Sequence, residues 1–217
     1  KPNRNLIING AMQVAQRGTS STVSGYGTVD RFFTNYSGLD EAPTQAQVDV
    51  ASGTTPYTLG FRKAFKVTNG NQTSGAGASD RLIIVQRFEG QNIANSGWNY
   101  TSSSSFITLS FWVKSSVAQN FYGRLQTIDG TNYNYPFETG SLTADTWTKI
   151  TKTISGNSNL QIDNDTGEGI KIELMMFRGT DSTDSGVTLN QWAAYADATR
   201  TPDQTSTWYT TNDATFE

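Results

Sequence analysis

The chain has 217 residues, a mass of 23.7 kDa, a net charge of −3 and a sequence pI near 5.0. It contains neither cysteine nor histidine. That excludes a disulfide framework, a thiolate metal site, a Ser-His-Asp or Cys-His catalytic arrangement and the usual general base near neutral pH. The 16 basic residues form no Lys/Arg stripe, so nucleic acid is not an expected partner, and no apolar run, Leu82–Val85 included, approaches a membrane span.

In chain order, Lys1-Pro2-Asn3-Arg4 is followed by no signal-peptide apolar region. Arg17-Gly18-Thr19-Ser20 reads as a turn, with glycine supplying the tight geometry. Asn69–Ser79 (NGNQTSGAGAS) is a polar loop, and Trp98 with Tyr100 sits in a second one. In Phe106–Lys114, alternation puts Ile107, Leu109, Phe111 and Val113 on one side and Thr108, Ser110, Trp112 and Lys114 on the other. In Asn120–Gln126, Phe121 and Leu125 oppose Asn120, Tyr122, Arg124 and Gln126. Tyr133 and Tyr135 read as another loop pair, and Trp147 and Trp192 as strand residues of the sandwich. Thr148–Ile154 turns Ile150 and Ile154 inward. Asp163-Asn164-Asp165-Thr166-Gly167-Glu168 spaces oxygens as calcium loops do, but the rest of that pattern is missing and a hairpin turn is expected. Asp181 and Asp184 resemble it. In Lys171–Phe177, Ile172, Leu174 and Met176 oppose Lys171, Glu173, Met175 and Phe177.

Short strands punctuated by Gly, Asn, Ser and Asp, with no sustained 3.6-residue period, predict an all-β fold: an antiparallel jelly-roll β-sandwich with long loops, one domain over residues 1–217. A chain of this size buries roughly 70% of its unfolded surface and is stable without a metal or disulfide. The aliphatic faces supply the core. The mixed face, Trp112, Tyr122, Arg124, Gln126 and Glu173, offers flat rings beside hydrogen-bonding groups, as sugars require, or a subunit interface. The loop aromatics Trp98, Tyr100, Tyr133 and Tyr135 join it as candidate ligand-binding residues, against burial as anchors. Glu89, Glu138, Glu168 and Glu173 could furnish a carboxylate hydrolase, but nothing in their spacing pairs them. No enzyme activity, cofactor or metal is expected.

The segment Asn5–Ser20 (NLIINGAMQVAQRGTS), followed by Val29-Asp30-Arg31-Phe32, resembles the opening of many phage tail-fibre and virion-associated proteins, notably of marine phages. Ser110–Lys114, Trp147–Gly156 and Gly186–Tyr195 are similar to later pieces of the same architecture and to jelly-roll carbohydrate-binding modules. Those modules open on an NGDFE-like stretch whose acids help hold calcium; here Ala11 and Gln13 replace them, so no metal is carried over. The resemblance implies a non-catalytic tail-fibre or adhesin domain on the extracellular virion, recognising a host-surface glycan as a homotrimer beside other virion proteins. A purely structural virion part is the alternative. It also implies a chain running on past Thr215-Phe216-Glu217 for another strand segment.

Overall fold

The opening segment shows how the resemblance is built. In the computed structural model, which describes residues 5–217, Asn9 takes a left-handed backbone (φ 57°). Its side-chain amide donates to the carbonyls of Val14 (2.9 Å) and Asp30 (3.1 Å), and its oxygen accepts the Val14 amide (3.0 Å). Asp30 in turn accepts the Gln16 amide at 3.1 Å. The Asn-Gly opening and the Asp-Arg pair are therefore two ends of one hydrogen-bonded corner. Gly18, at φ +122°, makes the expected turn. Lys1–Arg4, read above for a leader, lie outside the described residues.

Among the described residues twelve strands follow: β1 Ser20–Ser21, β2 Phe33–Ser37, β3 Thr44–Asp49, β4 Lys63–Thr68, β5 Arg81–Glu89, β6 Phe106–Val113, β7 Asn120–Thr127, β8 Tyr133–Ser141, β9 Thr148–Ser155, β10 Glu168–Arg178, β11 Ala193–Ala194 and β12 Thr215–Phe216. The helices are single turns: α1 Thr55–Thr58, α2 Gly90–Ala94 and α3 Thr207–Thr210. No helix among the described residues is long and apolar enough to cross a membrane.

The strands form two antiparallel layers, an all-β sandwich as the alternation predicts. One layer is a six-stranded sheet in the order β11-β8-β7-β10-β5-β2. The facing layer has two parts, β1-β3-β4-β12 and β6-β9. They touch where Ser115 bridges Phe216 and Lys114 and Glu217 exchange backbone hydrogen bonds of 3.0 and 2.8 Å. The Asp163–Glu168 segment is a crossover between layers, from β9 to β10, and not the expected hairpin; β9 pairs with β6, while β10 pairs with β5 and β7.

The inward faces are those the alternation gave. Leu109, Val113, Phe121, Leu125, Ile150, Ile154 and Met176 are buried between the layers with Trp208, Tyr209 and Phe216. One inward residue departs from the pattern. A register shift between Met175 and Phe177 inserts an extra residue in β10, so Phe177 joins Met176 in the core and stacks on Tyr209 at 4.3 Å.

Candidate functional site

The outer face of the six-stranded sheet carries most of the predicted polar residues, because cross-strand pairing lines them up in rows. One row runs Pro136, Arg124, Glu173, Val85, Phe33 across β8, β7, β10, β5 and β2; the next runs Asn134, Gln126, Lys171, Arg87. Opposite charges directly across a strand pair attract. Arg124 Nε donates to Glu173 Oε2 at 2.7 Å, Arg178 Nη2 reaches the same oxygen at 3.3 Å, and Lys171 Nζ lies 3.3 Å from Oε1. Arg124 also donates to Asn134 Oδ1 (3.3 Å), and Asn134 donates to the Arg200 carbonyl (2.7 Å).

Two guanidiniums and an ammonium thus converge on one carboxylate. Burial alone would raise the pKa of Glu173, but Arg124, then Arg178 and Lys171, outweigh it and hold the carboxyl at about 2. Burial and the neighbouring Arg200, Arg124 and Arg81 bring Arg178 down to about 10, with Glu173 pulling the other way; it stays charged at neutral pH. Arg178 Nε, Arg200 Nε and Gln126 Oε1 are buried without a hydrogen-bond partner among the described residues.

The segment after β10 folds back over this half of the face. Tyr195 lays its ring 5.3 Å from the Arg124 guanidinium and 5.6 Å from that of Arg200, and Asp197 takes hydrogen bonds from both Tyr195 and Arg200. Arg124 and Glu173 are therefore 1% and 3% exposed, and Gln126 is buried beside them. Three of the predicted ligand residues are in place on the expected face but sealed by the chain's own loop. Tyr122, one row further along, stays half-buried opposite Glu138. Burial, then Glu138, raises its phenol.

The uncovered half carries groups that alternation alone did not single out. Arg87 stands 34% exposed, its guanidinium 4.7 Å from the Phe33 ring centroid. Its Nε pairs with Glu168 at 3.0 Å and its Nη1 donates to the Tyr26 hydroxyl at 3.2 Å. Tyr26, itself 38% exposed, meets Phe33 edge-on at 5.1 Å. Lys171 adjoins Arg87 across the β10–β5 pair. The apolar run Leu82–Val85 hides Arg87 in the sequence, since four buried residues in succession mask the two-residue period.

The remaining predicted residues lie elsewhere. Trp112 is not on this sheet: β6 belongs to the facing layer, so the expected single mixed face is two separate surfaces. Trp112 lines a cleft of about 510 Å³ between β4 and β6, together with Trp147, which was read as a strand residue and instead stands just before β9. Trp98 and Tyr100 do lie in a loop, but they anchor it. Trp98 is buried and donates to the Ser105 carbonyl, and the Tyr100 hydroxyl donates to the Ile162 carbonyl, each at 3.3 Å. Tyr133 and Tyr135 are strand residues of β8 and not loop residues; both pack toward the core, Tyr135 5.3 Å from Trp192. Trp192 lies outside the strands, its indole donating to the Ser155 carbonyl at 2.8 Å.

No protein-family model and no curated protein matches the sequence. Among solved structures, the enzymatically active domain of tailspike protein 4 from bacteriophage CBA120 gives a TM-score of 0.44 at 10% identity, covering 79% of this chain and 19% of that one. A candidate sugar-binding protein from Bacteroides thetaiotaomicron gives 0.46 at 14% identity, covering 81% of this chain and 93% of that one. The chain therefore spans about a fifth of the tailspike structure's length. With TM-scores below 0.5 the likeness concerns the arrangement of strands and carries no argument about what this chain binds or does.

Proposed function

We propose that the chain is a non-catalytic carbohydrate-binding module of a virion fibre or comparable adhesin, taking a saccharide on the uncovered half of the outer sheet face. The observation that carries this reading is the fixed cluster of Tyr26, Phe33, Arg87 and Glu168. A partly exposed ring stands beside a guanidinium and a carboxylate that are already held by each other and by the sheet. A sugar presents an apolar C–H face and a rim of hydroxyls. The Tyr26 ring suits the first, while Arg87, Glu168 and neighbouring Lys171 suit the second. Because these groups are ordered before binding, little side-chain freedom is lost on contact.

A single patch of this size binds weakly, and several copies on one particle would raise avidity without new contacts. A trimeric fibre is such an arrangement, and the phage-like opening Asn5–Ser20 supports that setting. The test is a glycan-array screen with wild type, Tyr26→Ala and Arg87→Met, each checked for folding by circular dichroism. Loss of a defined glycan signal in both folded variants is the expected result. A wild type that binds no glycan, or variants that bind as well as it does, would overturn the proposal. Light scattering run beside it distinguishes the structural alternative: a trimer that binds nothing would assign this face to subunit contact.

A further inference from the structure

The sealed half of the outer face holds more positive charge than its carboxylates match. Arg81, Arg124, Lys171, Arg178 and Arg200 gather there, and among the described residues only Glu173 and Asp197 pair with any of them. The neighbouring acids are engaged elsewhere: Asp203 accepts the Thr183 hydroxyl and Glu138 accepts the Asn120 amide, each at 2.8 Å. Strand register sharpens the imbalance, because Arg178 lies directly opposite Arg81 across β10 and β5, with Arg200 a further cation beside it. Like charges so placed repel. Two of these guanidiniums also lack acceptors. Arg178, 3% exposed, gives Nη2 to Glu173, and Arg200 gives Nη2 to Asp197. The Nε of each is buried without a hydrogen-bond partner among the described residues. A guanidinium binds anions through a fork of donors, so in both side chains one prong is taken and the next is not.

Arginine cannot relieve a buried excess of charge by shedding its proton, as a lysine or histidine would. A water would accept the N–H groups and leave the charge; an anion answers both needs at once. We infer that the Nε groups of Arg178 and Arg200 hold a small inorganic anion of the halide class, between the outer sheet face and the covering segment Ala193–Thr201. The size follows from the packing: Arg124, Glu173, Arg178 and Thr201 are each at most 3% exposed, so a one-atom acceptor suits the place and a sugar or bulky oxyanion does not. Arg200 is carried by the covering segment and Arg178 by β10, so the anion clasps one to the other. The covering segment otherwise rests on few polar contacts: the β11–β8 pair, the Tyr195 and Arg200 backbone hydrogen bonds, and the Asn134 amide on the Arg200 carbonyl. This clasp stands apart from the Arg87 cluster and does not depend on the saccharide reading.

The experiment compares hydrogen exchange of the 217-residue chain in sodium chloride, sodium bromide and sodium gluconate at one ionic strength, which holds general screening constant. The reporters are the amides of Tyr195 and Arg200, bonded to the Asn132 and Ser182 carbonyls, and of Asp184, bonded to that of Thr201. In either halide they should exchange at least about tenfold more slowly than in gluconate, and the effect should saturate. A crystal grown in bromide should place its anomalous peak within hydrogen-bond reach of both Nε atoms. Arg200→Lys keeps the charge without the Nε donor and should lose the halide dependence, whereas Lys149→Gln, exposed on β9 in the other layer, should keep it. Equal exchange in halide and gluconate would overturn the inference, as would a water where bromide is expected or bromide found only beside Arg87 and Lys171. So would a halide dependence that survives Arg200→Lys, or protection by an acidic oligosaccharide that no halide reproduces.

Discussion

Glu173 is the residue on which the covered half of the outer face depends, because three cations share its carboxylate in a site from which water is largely excluded. Removing one partner of a buried ion pair leaves the others uncompensated. Glu173→Gln keeps the shape and removes the charge, and should cost about 3–5 kcal/mol of unfolding free energy, read from urea titration at pH 7. The same residue sets a pH dependence whose sign is fixed. Its carboxyl is depressed from an ordinary value of 4.5 to about 2 in the folded chain. The stability it contributes is therefore fully present above pH 4.5 and is lost as the pH falls from there toward 2. The loss should be on the order of 3 kcal/mol over that window, and Glu173→Gln should flatten the slope. A variant whose acid limb matches wild type would place the acid sensitivity elsewhere. Alternation put Arg124, Gln126 and Glu173 on one face correctly. It could not show that Tyr195 and Arg200, some seventy residues beyond Arg124, fold back to bury them, since loop closure leaves no periodic signal.

At the scale of elements, the packing of the sheet's inner face explains the glycine in the middle of β7. Gly123 on β7 faces Phe137 of β8, and a Cβ there would lie 2.4 Å from the Phe137 ring and 2.8 Å from the Glu173 carbonyl. Gly123→Ala should therefore destabilise by about 1–3 kcal/mol by overpacking, with Gly123→Ala/Phe137→Leu recovering part of it in thermal denaturation. A neutral Gly123→Ala would mean that β7 and β8 yield more than a packed core should. A second link joins elements distant in sequence: the Tyr209 hydroxyl of α3 donates to Asp80 at 3.0 Å, and burial, then Asp80 itself, raises that phenol. Tyr209→Phe removes the donor and should cost about 1–3 kcal/mol, measurable as a lower urea midpoint. The strands themselves were legible because four of them alternate cleanly. The errors fall where a local device overrides the period: the β10 bulge at Phe177, the aromatic-rich β8 that read as a loop, and the layer assignment of β6, which no single-strand pattern specifies.

For the molecule as a whole, charge distribution matters more than net charge. Arg81, Arg87, Arg124, Lys171, Arg178 and Arg200 all belong to the outer side of one sheet or the loop over it, six of the chain's 16 basic residues in a protein of net charge −3. Much of that positive field is sealed inside, where salt screens it weakly, but Arg87 and Lys171 carry it to the surface beside Tyr26. A saccharide bearing a carboxylate or sulfate should therefore be preferred on this patch over a neutral one of the same size. The preference should shrink between 50 and roughly 500 mM salt as exposed charges are screened over shorter distances. Isothermal titration with an acidic and a neutral oligosaccharide at two salt concentrations makes the comparison. Lys171→Gln should lower the acidic ligand's affinity more than the neutral one's, bringing the two closer together. Equal affinities for both at low salt would show that the rings, not the cations, set the choice, and would move recognition from the Arg87 cluster to the Tyr26 face alone.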